Sequence, residues 1–195
     1  DVIRTLNALA GDNAIITTDV GQHQMWTAQF YDFTQPRSFA SSGGLGTMGY
    51  GLGAAIGSKV GNPDKYVINI AGDGSFFMNC NELSTLAKHG IPVIELVFTN
   101  NVLGMVRQWQ RIFYGKRFSQ TDIDRGTDMM KLAEAFGIEG VRITKKDEIE
   151  AGLKKALDCG RPCLVECVID KDVNVLPMVA PGGDVLDPIM EISLD

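Results

Sequence analysis

Basic excess, histidine and paired cysteine are what this chain has little of. Its 195 residues hold 18 Lys+Arg against 24 Asp+Glu, a formal net charge of −6, and only two His and four Cys. Without a basic surplus there is no electrostatic footprint for nucleic acid and no attraction to an anionic bilayer surface. Apolar runs reach strand length only, so none spans a membrane. Cys80, Cys159, Cys163 and Cys167 form no C-x-x-C pair, which argues against a zinc or thioredoxin-type site. They are expected to be reduced and mostly buried, Cys163 and Cys167 within the apolar run "CLVECVI". Signal peptide, internal repeat, low-complexity tract and linker are all missing, and so is an initiator methionine. The expectation is a fragment of a longer polypeptide, located in the cytoplasm, or in an organelle if the source is eukaryotic.

What is present is a regular alternation. "NAIITTDVG", "KYVINIAGDG", "IPVIELVFTNN", "EGVRI" and "CLVECVID" are apolar and β-branched, as buried strands are. Between them lie stretches with helical spacing. "VIRTLNALAG" opens the chain, and "GLGTMGYGLGAAIGSKVG" is rich in small residues. "NCNELSTLAKHG" offers Asn79 as N-cap and Gly90 as stop, with His89 beside the helix end. "GMVRQWQRIFYG", "DMMKLAEAFG" and "KKDEIEAGLKKALD" follow. Alternating strands and helices predict an α/β fold, three layers α/β/α around a mostly parallel sheet, in a single domain over 1–195. The tail "NVLPMVAPGGDVLDP" is predicted to be extended.

Two motifs compete for a functional meaning. Gly44, Gly46 and Gly49 have the G-x-G-x-x-G spacing of a dinucleotide turn. That fingerprint should follow a central strand, and "QPRSFASSGG" is too poor in apolar residues for one. The second motif lies at strand ends. "VINIAGDG" delivers Asp73, and "VIELVFTNN" delivers Asn100, 27 positions later. A carboxylate and an amide oxygen are hard ligands suited to Mg²⁺, which commonly shares its shell with phosphate. Gly72 and Gly74 allow close backbone approach, and the helix start after them, with Ser75, offers free N–H groups to an anion. The pattern is that of a Mg²⁺-diphosphate site.

The Gly-Asp-Gly with its distant strand-ending Asn resembles the thiamine diphosphate signature. With "VGQHQMW", "SSGGLGTMGYGLGAAIG", "GDGSFFMNCNELSTL", "GMVRQWQRIFY" and "LPMVAPGG", nearly the whole chain is similar to the C-terminal, diphosphate-binding domain of acetohydroxyacid (acetolactate) synthase catalytic subunits. The Asn pair is shifted by one relative to that family, which assigns the metal to Asn100 rather than Asn101.

The resemblance implies thiamine diphosphate and Mg²⁺ as cofactors, with Asp73, Asn100 and the backbone carbonyl of Val102 on the metal. It places Gln22 and His23 beside the diphosphate as donors. Gly46 and Met48 fall in the thiazolium cradle, Met48 supporting the bent cofactor. Leu103, Gly104 and Met105 fall near the cofactor, and Trp109 in the second-substrate pocket. Arg107 and Arg111 are expected on a solvated helix face, and Glu82 in a structural role. The implied reaction condenses two 2-ketoacids with loss of CO₂. Pyruvate as acceptor gives 2-acetolactate and 2-ketobutyrate gives 2-aceto-2-hydroxybutyrate, in branched-chain amino-acid biosynthesis. No catalytic residue is expected in this fragment. The activating glutamate belongs to an N-terminal domain, usually a partner subunit's, and FAD is held mainly elsewhere, so the fragment alone is expected to be inactive. A homodimer or higher oligomer and a small regulatory subunit are the implied partners. Another thiamine enzyme, such as a pyruvate oxidase or glyoxylate carboligase, and a nucleotide-binding module remain the alternatives.

Overall fold

The computed structural model describes residues 1–192. Six strands form one sheet: β1 (Ala14–Thr18), β2 (Phe39–Ser41), β3 (Tyr66–Gly72), β4 (Val93–Thr99), β5 (Glu139–Ile143) and β6 (Cys163–Val168). Their order is β2-β1-β3-β4-β6-β5 and every pairing is parallel. Parallel neighbours need crossover connections, and helices supply them on both faces.

Side-chain alternation along the strands divides the core in two. Ile68, Ile70, Ile94, Leu96 and Phe98 face α1 (Val2–Ala10), α2 (Gln22–Phe30) and α8 (Ile149–Asp158). Val67, Ala71, Val93, Val97 and Leu164 face α3 (Tyr50–Gly61), α5 (Leu83–His89) and α7 (Met129–Phe136). Each helix contributes an apolar stripe at three- and four-residue spacing: Ile3, Leu6 and Ala10 on α1, and Ile149, Leu153, Ala156 and Leu157 on α8. A fully buried leucine such as Leu83 or Leu86 contributes roughly 1.5–3 kcal/mol relative to an exposed one. The three-layer α/β/α architecture is thus the one the alternation predicts. Among the described residues no helix is long and apolar enough to cross a membrane, and all four cysteines are free thiols, Cys163 and Cys167 buried.

Several element boundaries differ from the sequence expectation. The small-residue helix starts at Tyr50, not Gly44, because Gly46 (φ 71°) and Gly49 (φ 89°) adopt left-handed backbone that ends any helix there. A short edge strand, β2, does precede the glycine loop, though eight residues separate it from α3, too long for a tight dinucleotide turn. The helix expected over 79–90 is split. A four-residue turn of helix, α4 (Asp73–Phe76), follows β3 directly, then a 3₁₀ turn, Cys80–Glu82, then α5. Asn79 is not a side-chain cap; its amide donates to the Gly49 carbonyl at 3.2 Å, pinning the glycine loop instead. The helix expected over 145–158 begins with a 3₁₀ turn, Lys146–Glu148. Helix α2 went unpredicted because its apolar residues do not keep helical spacing. The tail, expected to be extended, is instead irregular and folds back on itself where Met178 pairs with Ile189.

Connectivity locates the site. From β1 the chain goes one way to β2, then crosses back to place β3 on the other side of β1. In open parallel sheets a ligand crevice forms at such a reversal, beyond the strands' carboxyl ends. Those ends carry "DVGQH" and "GDGS".

Candidate functional site

A cavity of about 240 Å³ opens at this point. Gln22 and His23 reach it from the start of α2, and Gly72, Asp73, Gly74 and Ser75 from the β3–α4 junction. Asn100, Val102, Leu103, Gly104 and Met105 come from the β4 tip and the start of α6 (Gly104–Phe113), and Met48 from the glycine loop. Two expected residues are not on its wall. Gly46 sits back in the loop, where an added Cβ would meet Val20 at 3.9 Å. Trp109 lies in a neighbouring cavity of about 600 Å³ with Tyr114 and Arg117. Met105 and Val106 line both cavities.

Asp73 is the joint of the site. Its Oδ1 accepts the Gly74 N–H at 2.9 Å, and its Oδ2 accepts those of Asn100 (3.2 Å) and Asn101 (2.7 Å). The two strand tips are therefore tied through the aspartate. Asn100 Oδ1 in turn accepts the Val102 N–H at 3.1 Å, which shapes the loop before α6. Burial pushes the Asp73 carboxyl above its ordinary value, and the three backbone bonds oppose that. A cation beside it would favour the ionised form. Among the described residues no group of three or more His, Cys, Asp or Glu could hold a metal; the candidate donors here are one carboxylate and uncharged oxygens.

The cavity wall also carries polar atoms left over by the fold. His23 Nε2 and Gln22 Oε1 are buried without a partner. Burial lowers the His23 pKa to about 3, against a bond to the Asp19 main chain that works the other way. The ring is thus a neutral hydrogen-bonding group, not a cation. Gln22 departs from its expected donor role. Both of its amide hydrogens are committed, to Gln108 Oε1 (2.9 Å) and to the Val173 carbonyl (2.9 Å), and its oxygen lies buried against Gly104 of the cavity wall. The Ser75 hydroxyl donates to the Gly72 carbonyl at 3.1 Å. Glycine is required where the walls close in. A Cβ on Gly72 would lie 2.9 Å from His23 Nδ1, one on Gly74 2.8 Å from Leu103 Cδ2, and one on Gly104 would collide with Gln22 Oε1.

Several residues escaped the sequence analysis. Asp19, at the tip of β1, accepts the Gly49 N–H at 2.6 Å and so holds the loop carrying Met48. Beneath it runs a buried polar row across three strands. Thr17 donates to Asn69 Oδ1 (2.9 Å), and Asn69 donates to both oxygens of Glu95 (2.8 and 3.0 Å). Arg107 and Arg111 are not on a solvated face. Their side chains are only 14% and 15% exposed, and Asp172 of the tail lies 3.0 Å and 3.7 Å from them. Arg107 also stacks over Phe118, 4.0 Å from the ring centroid. Burial raises the Asp172 carboxyl, but the Arg107 bond and the charges of both arginines leave it below its ordinary value. Glu82 accepts from the Thr85 hydroxyl at 2.7 Å, a local helix contact.

With this geometry in view, residues 19–167 match the family described as thiamine pyrophosphate enzyme, C-terminal TPP binding domain. The chain is 48% identical to a probable acetolactate synthase large subunit of Methanococcus aeolicus, over 97% of this chain and 33% of the relative. It is 49% identical to the mitochondrial acetolactate synthase catalytic subunit of Saccharomyces cerevisiae, over 98% and 28%. Identity to the acetolactate synthase isozyme 2 large subunit of Escherichia coli is 45%, over 93% and 33%. The chain spans about a third of the length of these relatives.

Proposed function

Because this chain belongs to the thiamine pyrophosphate enzyme family, through its C-terminal TPP-binding domain, we propose that it supplies the diphosphate- and metal-binding half of an acetolactate synthase active site. The full-length enzyme would condense two 2-ketoacids with loss of CO₂. Pyruvate alone would give 2-acetolactate, and 2-ketobutyrate as acceptor would give 2-aceto-2-hydroxybutyrate. The observation that carries this reading is the Asp73–Asn100 junction: two residues with hard-oxygen side chains at adjacent parallel strand tips, tied across 27 residues by the Asn100 main-chain N–H donating to the Asp73 carboxylate, on the wall of one cavity.

The residues present fit the implied groups. Asp73, Asn100 and the Val102 carbonyl are oxygen donors suited to Mg²⁺, and the buried, unpartnered His23 Nε2 and Gln22 Oε1 await a polar occupant. Bound thiamine diphosphate supplies the electron sink that a 2-ketoacid needs to lose CO₂. This chain's side chains hold and orient. Asp73 and Asn100 fix the metal end, and the Gly72–Ser75 turn brings backbone close to the phosphates. Met48, on the loop pinned by Asp19, supports the ring end. The largely apolar Leu103, Met105 and Val106 wall excludes water from the reacting centre. Trp109, one helical turn beyond Met105, borders the adjoining cavity where the second ketoacid would bind.

No carboxylic acid of this chain is assigned to cofactor activation. That group, the FAD site and the remaining domains belong to the rest of the polypeptide, which would assemble as a dimer or larger oligomer, with or without a regulatory subunit. The protein would reside in the cytoplasm, or in an organelle if the source is eukaryotic, the latter in line with the mitochondrial name of the yeast relative. Calorimetry tests the reading: heat with thiamine diphosphate plus Mg²⁺ and none with NAD is expected of the full-length protein, together with acetolactate from pyruvate. Heat with NAD alone would overturn it.

A further inference from the structure

Gln108, in the middle of α6, is 2% exposed, and every hydrogen-bonding valence of its carboxamide is filled. Its nitrogen donates to the Val175 carbonyl at 2.9 Å and to Met178 Sδ at 3.1 Å. Its oxygen accepts the Val175 N–H at 2.8 Å and the Gln22 amide at 2.9 Å. The two bonds to Val175 leave no freedom of orientation, because a main-chain N–H only donates and a carbonyl only accepts. With the oxygen of Gln108 so fixed, the end of Gln22 that meets it must be the NH₂, and the Val173 carbonyl demands the same. Gln22 therefore turns its oxygen toward Gly104 of the cavity wall. An amide at the cavity wall takes its polarity from the backbone of a segment about 150 residues away.

We propose that Gln108 is a positioning residue that fastens the 173–178 segment onto α6 and, through the same carboxamide, fixes which end of Gln22 lies against Gly104 in the wall of the cofactor cavity. Seating of that segment and the polarity of the cavity wall are then one coupled feature. The segment has a second, independent fastening at Asp172, which pairs with Arg107 and Arg111 but touches neither glutamine. What the cavity binds rests on the function proposed above; the latch itself does not.

The test uses the full-length protein and two readouts. Hydrogen exchange of the Val175 amide reports the latch, and calorimetry with thiamine diphosphate plus Mg²⁺ reports the cavity. Gln108→Leu strips Val175 of both partners, and exchange there is expected to rise by roughly tenfold or more, the equivalent of one lost buried hydrogen bond. Cofactor affinity should drop several-fold, and Gln22→Leu added to Gln108→Leu should lower it little further, because Gln22 has already lost its orientation. Asp172→Asn loosens the same segment, yet its effect on affinity should add in full to that of Gln22→Leu. Should Gln108→Leu not fold, Gln108→Glu keeps the acceptor and loses the donors, and smaller shifts in the same directions are expected. Unchanged Val175 exchange in a folded Gln108 variant, or fully additive effects of the Gln108 and Gln22 substitutions, would overturn the proposal. Absence of cofactor binding by the wild-type protein would sink the proposed function instead, with the exchange result still deciding the latch.

Discussion

The two ends of the sheet solve the same problem, placing charge beside a parallel strand, in opposite ways. At the β5–β6 edge the charges pair, most of them at the surface and Glu166 buried beneath Arg142. Arg142 bridges Glu166 and Asp128, each at 2.6 Å, and Glu139 meets Lys155 at 3.0 Å and also Arg161. Asp128 caps α7 by accepting the Met130 N–H. Around the β1, β3 and β4 tips the polar groups are buried. Among the described residues, the buried side-chain atoms without partners are Gln22 Oε1, His23 Nε2, Thr99 Oγ1 and Arg111 Nε, all on this side of the molecule. Desolvated, incompletely paired groups are costly to a fold. Gln22 and His23 line the cavity, where an occupant would complete their hydrogen bonding, whereas Thr99 and Arg111 do not line it; the paired edge is scaffold.

The sharpest way to break that contrast is to neutralise one aspartate from each end. Asp73→Asn should weaken binding of thiamine diphosphate plus Mg²⁺ by roughly 100-fold, within the 2–5 kcal/mol range for a charge removed from a buried contact. Asp128→Asn should leave affinity unchanged. Equal losses in titration calorimetry would erase the distinction. Next in size are two glycines, one from each end. A Cβ on Gly51 would collide with Asn69 Oδ1 and lie 2.8 Å from the Asp19 main-chain nitrogen, groups locked in the polar row and the β1 tip. A Cβ on Gly152 would lie 2.8 Å from Ile143 Cδ1 and Cγ1, apolar side-chain atoms with no main chain behind the clash. Denaturant unfolding should show a loss of about 3 kcal/mol for Gly51→Ala and about 1 kcal/mol for Gly152→Ala, the span expected of overpacking with and without room to relax. Similar losses would mean that the site end is no more rigid than the scaffold.

The same contrast explains what the sequence made legible. Strand tips are local: an apolar run that ends in Gly-Asp-Gly or Asn-Asn announces both the strand and the residue at its carboxyl end. Asp73, Asn100 and their meeting could therefore be read from spacing. The small-residue pattern of α3 was legible too, but not its start, because a glycine-rich stretch keeps helical spacing even where Gly46 and Gly49 turn left-handed. Gln108, Asp172 and the Thr17–Asn69–Glu95 row were illegible for a different reason. Each is a polar residue whose partner lies 26 to 67 positions away, and nothing local distinguishes such a residue from one that faces water. The charged helix around Arg107 and Arg111 invited a solvated face. The returning tail, through Asp172, and the Phe118 ring cover it.

Acid sharpens the comparison next. The His23 pKa is about 3 in the fold, against an ordinary 6.5. Between those values the unfolded chain binds more protons than the folded one. His23 therefore costs nothing above pH 6.5 and destabilises as pH falls, by roughly 2 kcal/mol at pH 5. Glu95 acts oppositely. Burial raises its carboxyl well above the ordinary value, against the Asn69 hydrogen bonds that lower it, so its contribution grows as pH falls. The difference between wild type and His23→Gln isolates the histidine: the variant should lose about 2 kcal/mol less on going from pH 7 to pH 5. Parallel stability curves would show that His23 is protonated or exposed in the fold.

The smallest effect belongs to the scaffold edge, and its smallness is the point. Lys155 keeps 58% of its side chain exposed while meeting Glu139, and Glu139 retains Arg161 as a second partner. The bond to Lys155 and then that to Arg161 hold the Glu139 carboxyl below its ordinary value, but water screens both, and an exposed pair contributes between nothing and about 1 kcal/mol. Lys155→Met removes one charge, leaves Glu139 paired, and keeps the aliphatic stem lying along α8. The midpoint of thermal unfolding should move by less than about 2 °C, and by less still at high salt, where screening already suppresses the pair. A drop of many degrees would mean that this edge depends on its charges as the site end does, and that unpaired buried polarity is not what sets the cofactor end apart.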